Sequence, residues 1–119
     1  MSARIESFRD LEAWQAALTL TLDCYRLTRL FPPDERFGLA AQVRKSVVSI
    51  PSNVAEGHNR RSRLAYRNHV GIALGSQAET DTQIEIAARL AYISGDQWTG
   101  IRRQLDSVGR LLHGLHRAL

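Results

Sequence analysis

Apolar residues recur at steps of three and four along most of the chain, and prolines, glycines and small polar residues interrupt this pattern at three places. Such a period places apolar side chains on one face of an α-helix. The pattern predicts four helices, at about residues 8–30, 35–57, 62–93 and 96–118. We find no alternating β-pattern, internal repeat or low-complexity tract. The sequence therefore predicts an all-α, up-down-up-down antiparallel four-helix bundle, as a single domain over residues 1–119.

Residues that stop and cap helices stand at the predicted boundaries. Pro32 and Pro33 end the first helix, because proline has no backbone N–H to donate to the helical ladder. Ser62 is the predicted N-cap of the third helix. The run Ser94–Asp96 is predicted to end the third helix and to cap the fourth.

Pro51 lies inside the apolar pattern of the second predicted helix. A proline in a helix interior removes one backbone hydrogen bond and clashes with the preceding turn, at a cost of about 3 kcal/mol. The helix either kinks at Pro51, with Ser49, Ser52 or Asn53 satisfying the freed backbone groups, or it breaks there. Val54 keeps the register of the apolar residues before the proline, and this favours the kink.

The first and third predicted helices each carry two apolar stripes, whereas one bundle core covers a single stripe per helix. The second stripes therefore predict a subunit interface. On the first helix, the two stripes are Leu11, Trp14, Leu18, Leu22 and Tyr25, and, roughly opposite, Ala13, Ala17, Leu20, Cys24, Leu27 and Phe31. The candidate interface residues are Leu20, Cys24, Leu27, Ile72, Ile86 and Leu90. The pattern leaves open which stripe faces the core and which faces a neighbouring subunit.

Basic residues cluster at two places. The chain has 16 basic and 12 acidic residues, a net charge of +4, and Lys45 is its one lysine. This excess permits nucleic-acid or acidic-protein partners. One cluster lies between the second and third helices, and the other lies on the fourth helix, opposite an apolar seam. The candidate nucleic-acid-binding residues are Arg60, Arg61, Arg63, Arg67, Arg102, Arg103, Arg110 and Arg117. Either these arginines form a solubilising face or they contact phosphates.

Polar residues interrupt one apolar stripe of the third helix, at Glu79 and Gln83. Burial of a carboxylate is costly unless it is paired, and the predicted hairpin brings Arg44 within about one turn of Glu79. We therefore predict an Arg44–Glu79 ion pair, with Ser76 or Gln83 nearby. The predicted structural polar core comprises Arg44, Ser49, Pro51, Asn53, Glu56, Glu79 and Gln83.

The sequence lacks the residue spacings of a catalytic or metal site. No glutamate is followed three residues later by histidine, and no acidic residue lies next to His113 and His116 on the fourth helix. No serine or cysteine has a base at a diagnostic spacing, and no glycine-rich phosphate loop occurs. We therefore predict a non-enzymatic protein without cofactor or metal. The rival hypothesis is an enzyme that uses Arg44, Glu56 and Glu79 in an open cleft near Pro51.

The N-terminal residues and the single cysteine bear on the cellular compartment. Met1–Gln15 alternates charged and apolar residues, so we expect no signal segment, and no later apolar run is long enough to span a membrane. Cys24 cannot form an internal disulfide and is expected to be packed rather than reactive. We therefore expect a cytoplasmic protein without a membrane partner.

A set of residues between Phe8 and Ile93 matches the pattern of a known family. These residues are Phe8, Leu11, Trp14 and Ala17; Thr28, Phe31 and Pro32; Glu35 and Phe37-Gly38-Leu39; Gln42-Val43-Arg44-Lys45; Ser49-Ile50-Pro51-Ser52-Asn53-Val54-Ala55-Glu56-Gly57; and Gly75, Ser76, Glu79, Thr82 and Gln83. With them the chain resembles the four-helix bundle proteins related to those encoded in 23S ribosomal RNA intervening sequences. The fourth helix matches only in its leucine pattern.

The resemblance implies a cytosolic bundle that assembles as a ring-like homopentamer without known enzymatic activity. It also covers an accessory protein of diversity-generating retroelements, a basic pentamer that engages reverse transcriptase and RNA. We therefore expect a non-enzymatic oligomeric scaffold or adapter whose basic surface binds RNA or a nucleoprotein partner. A purely structural oligomer is the alternative.

Overall fold

The computed structural model describes residues 4–119, so the first three residues of the predicted domain lie outside it. The described residues form four α-helices and two short 3₁₀ turns, without a β-strand. The helices are α1 (Glu12–Thr28), α2 (Leu39–His58), α3 (Arg63–Arg89) and α4 (Gly95–Ala118). The turns are Phe8–Asp10 and Pro33–Glu35. The all-α prediction is confirmed.

Each helix packs antiparallel to the next, and α4 closes the bundle against α1. Between α2 and α3, for example, Ser46 contacts Thr80 and Asn53 contacts His69, so residue numbers rise on one helix as they fall on the other. The other neighbouring pairs follow the same rule. Helices on the diagonals do not contact each other along their backbones. This is the up-down-up-down arrangement.

The predicted caps form as the sequence indicates. Ser62 accepts a hydrogen bond from the Ala65 backbone N–H, which satisfies a free donor in the first turn of α3. Ser94 accepts from the Gln97 N–H, and the Gln97 side chain accepts from the Ser94 N–H in return.

Three helix boundaries differ from the prediction. Before α1 and α2, the expected first turns are separate 3₁₀ turns, because Leu11 and Gly38 have non-helical backbones. α3 ends at Arg89 rather than near residue 93. Ala91 adopts a left-handed conformation with φ of 60°, and the Tyr92 N–H bonds back to the Ala87 carbonyl at 2.9 Å. That bond closes the last turn of the helix.

α2 continues through Pro51, so the hypothesis of a break there is wrong. Proline leaves the carbonyl four residues earlier, at Val47, without its helical donor. The Thr21 hydroxyl on α1 lies 2.8 Å from the Ala17 carbonyl and 3.3 Å from the Val47 carbonyl, so its one proton is shared between two acceptors and the bond to Val47 is the weaker. The donor to the freed group therefore comes from the neighbouring helix, and not from the serines or Asn53 of α2 as predicted.

The core lies between the four helices and combines small side chains on α1 and α3 with larger ones on α2 and α4. Its fully buried members include Ala17, Leu20 and Cys24 on α1; Val43, Val47, Ile50 and Val54 on α2; Val70, Ala73, Ile84 and Ala87 on α3; and Leu105 and Leu112 on α4. Across residues 4–119, no helix is both long enough and apolar enough to cross a membrane.

Candidate assembly and nucleic-acid surfaces

The outer side of α1 carries a row of exposed apolar side chains. Leu18, Leu22 and Tyr25 face solvent, with Leu22 51% exposed. Val48 is also exposed and lies on α2, next to the Val47 carbonyl that α1 contacts. We call these four residues the α1–α2 apolar face. Exposed apolar clusters of this kind are candidate surfaces for contact with other molecules.

The structure corrects the predicted use of the other α1 stripe. Leu20 and Cys24 are fully buried and Leu27 is 9% exposed, all three within the core of the single chain. They cannot form a subunit interface without unfolding the bundle. The signal that could have identified the inner stripe is its small residues, Ala13 and Ala17, which allow the neighbouring helices to approach closely. Burial and the neighbouring Asp23 carboxylate raise the pKa of the Cys24 thiol to about 12.

A second apolar row lies on α3. Ile72 and Leu90 are each 53% exposed, and Ile86 lies between them along the same side. We call these three residues the α3 apolar edge. They remain candidate interface residues. Phe37, in the connection between α1 and α2, is 86% exposed and was not among the predicted interface residues.

A ladder of polar side chains joins α2 to α3. The Ser46 hydroxyl lies 2.8 Å from both the Thr80 hydroxyl and the Gln83 amide oxygen. One turn further along, the Ser49 and Ser76 hydroxyls lie 2.8 Å apart. Because these buried groups satisfy one another, the ladder fixes the register of the two helices.

The ladder continues towards the end of α2. The Asn53 amide donates to the Ser49 carbonyl at 2.8 Å, and its oxygen lies 3.1 Å from His69 Nδ1. Ser49, Asn53 and Gln83 therefore take part in the ladder. Sequence reasoning did not assign Ser46, Thr80 or His69 to it, because a hydroxyl or imidazole on a helix gives no spacing signal.

The predicted ion pair between Arg44 and Glu79 is not formed. Arg44 lies on the side of α2 that faces α1, where its Nε donates to the Thr28 hydroxyl at 2.9 Å and its guanidinium lies over the Tyr25 ring. Glu79 is exposed at the α2–α3 cleft, on the side of the hairpin away from Arg44, and its carboxylate accepts a hydrogen bond from the Gln83 amide at 3.4 Å. Glu56 is also exposed and pairs with Arg60 at 3.2 Å. The prediction placed Arg44 near Glu79 by sequence distance from the hairpin and did not account for helix rotation.

A shallow cleft of about 250 Å³ lies over the ladder, whose own hydroxyls are largely buried. Its lining residues are Gln42, Lys45, Ser46, Ser49, Ser76 and Glu79. Of the three residues in the enzyme hypothesis, Glu79 alone lines this cleft. Within residues 4–119, no three His, Cys, Asp or Glu side chains come together as metal ligands would.

Three of the eight candidate nucleic-acid-binding arginines are engaged within the bundle. Arg102 lies 3.6 Å from the Asp81 carboxylate and stacks over the Trp98 ring. Arg60 pairs with Glu56. Arg63 donates to the backbone carbonyls of Ala118 and Leu119, at 3.1 Å for Leu119, and so caps the C-terminal end of α4.

Asp81 receives opposing influences from burial and charge. Burial raises the pKa of the Asp81 carboxyl above its ordinary value, and the nearby Asp106 and Glu85 carboxylates add to the rise. The Arg102 guanidinium acts in the opposite direction, as the second-largest influence. Arg102 therefore serves to neutralise a partly desolvated acid.

The other five arginines are exposed and form no ion pair with any acid in the described part of the chain. Arg61, Arg67 and Arg117 lie at one end of the bundle, because the Arg63–Leu119 contact places the start of α3 beside the end of α4. We call these three residues the basic end. Arg103 and Arg110 lie further along α4.

Gly57 brings the helices together next to the basic end. A Cβ atom on this residue would lie 2.7 Å from the His69 Cβ and 3.0 Å from a Tyr66 ring carbon. Only glycine therefore allows the last turn of α2 to pack this closely on α3. The sequence suggested a helix stop at Gly57, but α2 continues to His58.

Comparison with known proteins agrees with the fold. The family model for the 23S rRNA-intervening sequence protein matches residues 9–114. A crystal structure of a protein of unknown function from the S23 ribosomal protein family of Bacteroides thetaiotaomicron is similar in fold, with a TM-score of 0.82 and 24% sequence identity. The match covers 87% of this chain and 97% of that one. Among curated proteins there is no match.

Proposed function

This chain belongs to the 23S rRNA-intervening sequence protein family, and from that premise we propose that it is a non-enzymatic, self-associating adapter that binds RNA through its basic end. The observation that carries the proposal is the separation of two kinds of surface. Unpaired arginines lie at one end of the bundle, while exposed apolar rows lie along α1, α2 and α3. Each kind of surface suits a different class of partner.

The basic end suits the phosphate backbone of RNA. A guanidinium forms strong, bidentate hydrogen bonds to phosphate oxygens, and Arg61, Arg67 and Arg117 are not neutralised by acids of residues 4–119. Nothing in this arrangement reads base edges, so the expected binding is to the backbone rather than to a sequence.

The apolar rows support self-association. The α1–α2 apolar face and the α3 apolar edge lie on different helices and contain different residues. A contact between the face of one copy and the edge of the next would be heterologous, and such contacts generate a closed ring when the rotation between copies closes, and a filament when it does not. Such a ring agrees with the homopentamer that the family resemblance implies.

The test of RNA binding is a salt series with charge-reversed variants. The affinity for mixed-sequence RNA should fall as salt rises, because binding releases condensed counterions. Changing Arg61, Arg67 and Arg117 to glutamate should reduce the slope of log affinity against log salt by about 2, since each phosphate contact on a single strand contributes roughly 0.7.

The matched control reverses the same number of charges outside the basic end. We expect the triple variant Arg29→Glu, Arg36→Glu and Lys45→Glu to keep most of the salt dependence. An equal loss in both triple variants would show that net charge, and not the basic end, determines binding. Absence of RNA binding at low salt, with assembly intact, would leave the purely structural oligomer as the function.

A further inference from the structure

Two clefts lie side by side between α1 and α4, each with a volume of about 320 Å³. The first is lined by Ala16, Thr19, Arg103, Gln104, Ser107 and Val108. The second is lined by Leu11, Glu12, Ala13, Arg110, Leu111, Gly114 and Leu115. Both have largely apolar floors, and each has one exposed arginine at its rim.

The two clefts use the same positions of α4, displaced by seven residues. Arg103 corresponds to Arg110, and the other three pairs are Gln104 and Leu111, Ser107 and Gly114, and Val108 and Leu115. Seven residues are two helical turns, so the clefts repeat at about 10.5 Å along the helix axis. A ligand that fills both must present an apolar group at the same interval.

An amphipathic α-helix with an apolar residue in every heptad has this repeat. We propose that the groove between α1 and α4 binds such a helix from a partner protein, with an acidic residue beside each apolar one. One apolar side chain of the partner enters each cleft, and the acidic neighbours pair with Arg103 and Arg110. A nucleic-acid backbone offers no apolar groups to the cleft floors, so this site is distinct from the basic end.

The charges around the groove select the acidic partner and its orientation. Arg103 has no acidic partner within residues 4–119, and Arg110 contacts only the Ser107 hydroxyl, at 3.2 Å. On the α1 side, Glu12 lines the second cleft, so the partner's acids must lie on the α4 side. Charge complementarity of this kind sets specificity and orientation at an interface.

The groove is held open by the packing of its walls. The Gln104 amide donates to the Asp23 carboxylate at 2.8 Å and ties α4 to α1 at one end of the first cleft. Ala13, Ala16 and Gly114 have little or no side chain to fill the clefts, and a Cβ on Gly114 would meet no atom within 4 Å. A substitution that fills a cleft is therefore expected to fold normally.

The test uses synthetic three-heptad peptides rich in alanine, with one leucine and one flanking glutamate per heptad. The full chain should bind this peptide at least about tenfold more tightly than a control peptide in which lysines replace the glutamates. In the double variant Arg103→Glu and Arg110→Glu the preference should reverse, so that the lysine peptide binds better. Isothermal titration calorimetry measures both affinities.

Further variants separate this groove from other surfaces. Ser107→Leu and Gly114→Leu fill the clefts and should abolish peptide binding while circular dichroism stays unchanged. Arg61→Glu and Arg67→Glu reverse the same number of charges at the basic end and should leave peptide binding unchanged. RNA affinity should change little in the Arg103→Glu and Arg110→Glu variant. A failure of the groove to bind the peptide can therefore be distinguished from a failure of the basic end to bind RNA.

Three results would overturn the proposal. One is equal affinity for the acidic and basic peptides, or no measurable binding of either. Another is an acidic-peptide affinity that survives both charge reversal and cleft filling. The third is a change of oligomeric state in the Arg103→Glu and Arg110→Glu variant, which would assign the groove to a second copy of this chain.

Discussion

α1 and α4 are neighbours that share one core and differ on their outer sides. On α1 the outward residues include Leu18 and Leu22, whereas on α4 they include Arg103 and Arg110. The inner stripe of each helix is required by the same bundle. The residues on the outer side are not needed for packing within the bundle. Their chemistry therefore reflects the surroundings of each helix outside the chain.

The difference also shows how the core selects between two apolar stripes. The inner side of α1 places small residues such as Ala13 and Ala17 beside Leu20, and it packs in the same core as larger residues such as Leu105 and Leu112. Small and large side chains on facing helices fill the core densely. The larger residues on the outer side of α1 would hold the neighbouring helices further apart.

The largest expected effect is the difference in stability between substitutions on the inner and outer sides of α1. Leu20→Ala removes a fully buried side chain and should lower the free energy of unfolding by about 2–5 kcal/mol. Leu22→Ala, two residues away, should change it by no more than about 0.5 kcal/mol in the monomer. Urea unfolding at a concentration where the chain is monomeric measures both, since assembly adds its own stabilisation. Equal losses would contradict the assignment of the inner stripe.

Thiol labelling tests the same assignment by reactivity. Burial raises the pKa of Cys24 to about 12 from its ordinary value of 9.0, so the folded chain should hold roughly a thousandfold less thiolate at neutral pH. Labelling of Cys24 should therefore wait for unfolding. A Leu22→Cys variant, in a Cys24→Ala background, should react at an ordinary rate in dilute solution and more slowly as the chain assembles. Rapid labelling of native Cys24 would place it on the surface.

Placing a glutamate on the outer side of either α1 or α4 sharpens the comparison for assembly. Leu22→Glu should weaken self-association at least about tenfold, because burying a leucine contributes about 1.5–3 kcal/mol and 1.4 kcal/mol corresponds to a factor of ten. Arg103→Glu should leave self-association unchanged. Sedimentation velocity over a concentration series measures both. If Arg103→Glu disrupted assembly and Leu22→Glu did not, the roles of the two outer sides would be reversed.

The smallest expected effect concerns Asp81 on α3, whose carboxylate lies 3.6 Å from Arg102 of α4. Arg102 turns towards α3, in contrast to Arg103. The pKa of Asp81 is raised in the folded chain, mainly by burial, above its ordinary value of 3.8. The folded state therefore holds this proton more tightly than the unfolded state. The stabilisation from Asp81 is fully present below about pH 3.8, the ordinary pKa, and it is lost as the pH rises through the folded pKa.

Asp81→Asn removes this titration. The stability of the variant relative to the parent chain should therefore increase with pH across the acidic range, by a small amount. Thermal unfolding at several acidic pH values measures the difference, and the control is Asp34→Asn, at an exposed acid that forms no ion pair within residues 4–119. A difference that decreased as the pH rose would mean that attraction to Arg102 outweighs burial.

The number and type of the helices followed from the sequence because their signals are local. Ser62 and Ser94 cap their helices through residues three positions away, and the apolar period is visible within each segment. The end of α3 did not follow, because Ala91 takes a left-handed backbone conformation that alanine seldom adopts.

The contacts between helices followed less well, because they depend on helix rotation. The Arg44–Glu79 pair was inferred from distances along the hairpin, and the two residues lie on different sides of it. In the same way, periodicity alone did not indicate which of the two α1 stripes is buried, and the small residues of the inner stripe were the only available signal. The arginines of the candidate nucleic-acid set could be located, but their engagement by Glu56 or Asp81 requires knowledge of the packed neighbours.

The Thr21 hydroxyl makes the stability of α2 depend on the packing of α1. Until α1 docks, the Val47 carbonyl that Pro51 orphans has only water as a donor, so an isolated peptide spanning residues 39–58 should be poorly helical. The helices α1 and α2 are therefore expected to form together, in one cooperative step during folding. The carbonyl freed by Pro51 gains its protein donor only when α1 packs in the correct register.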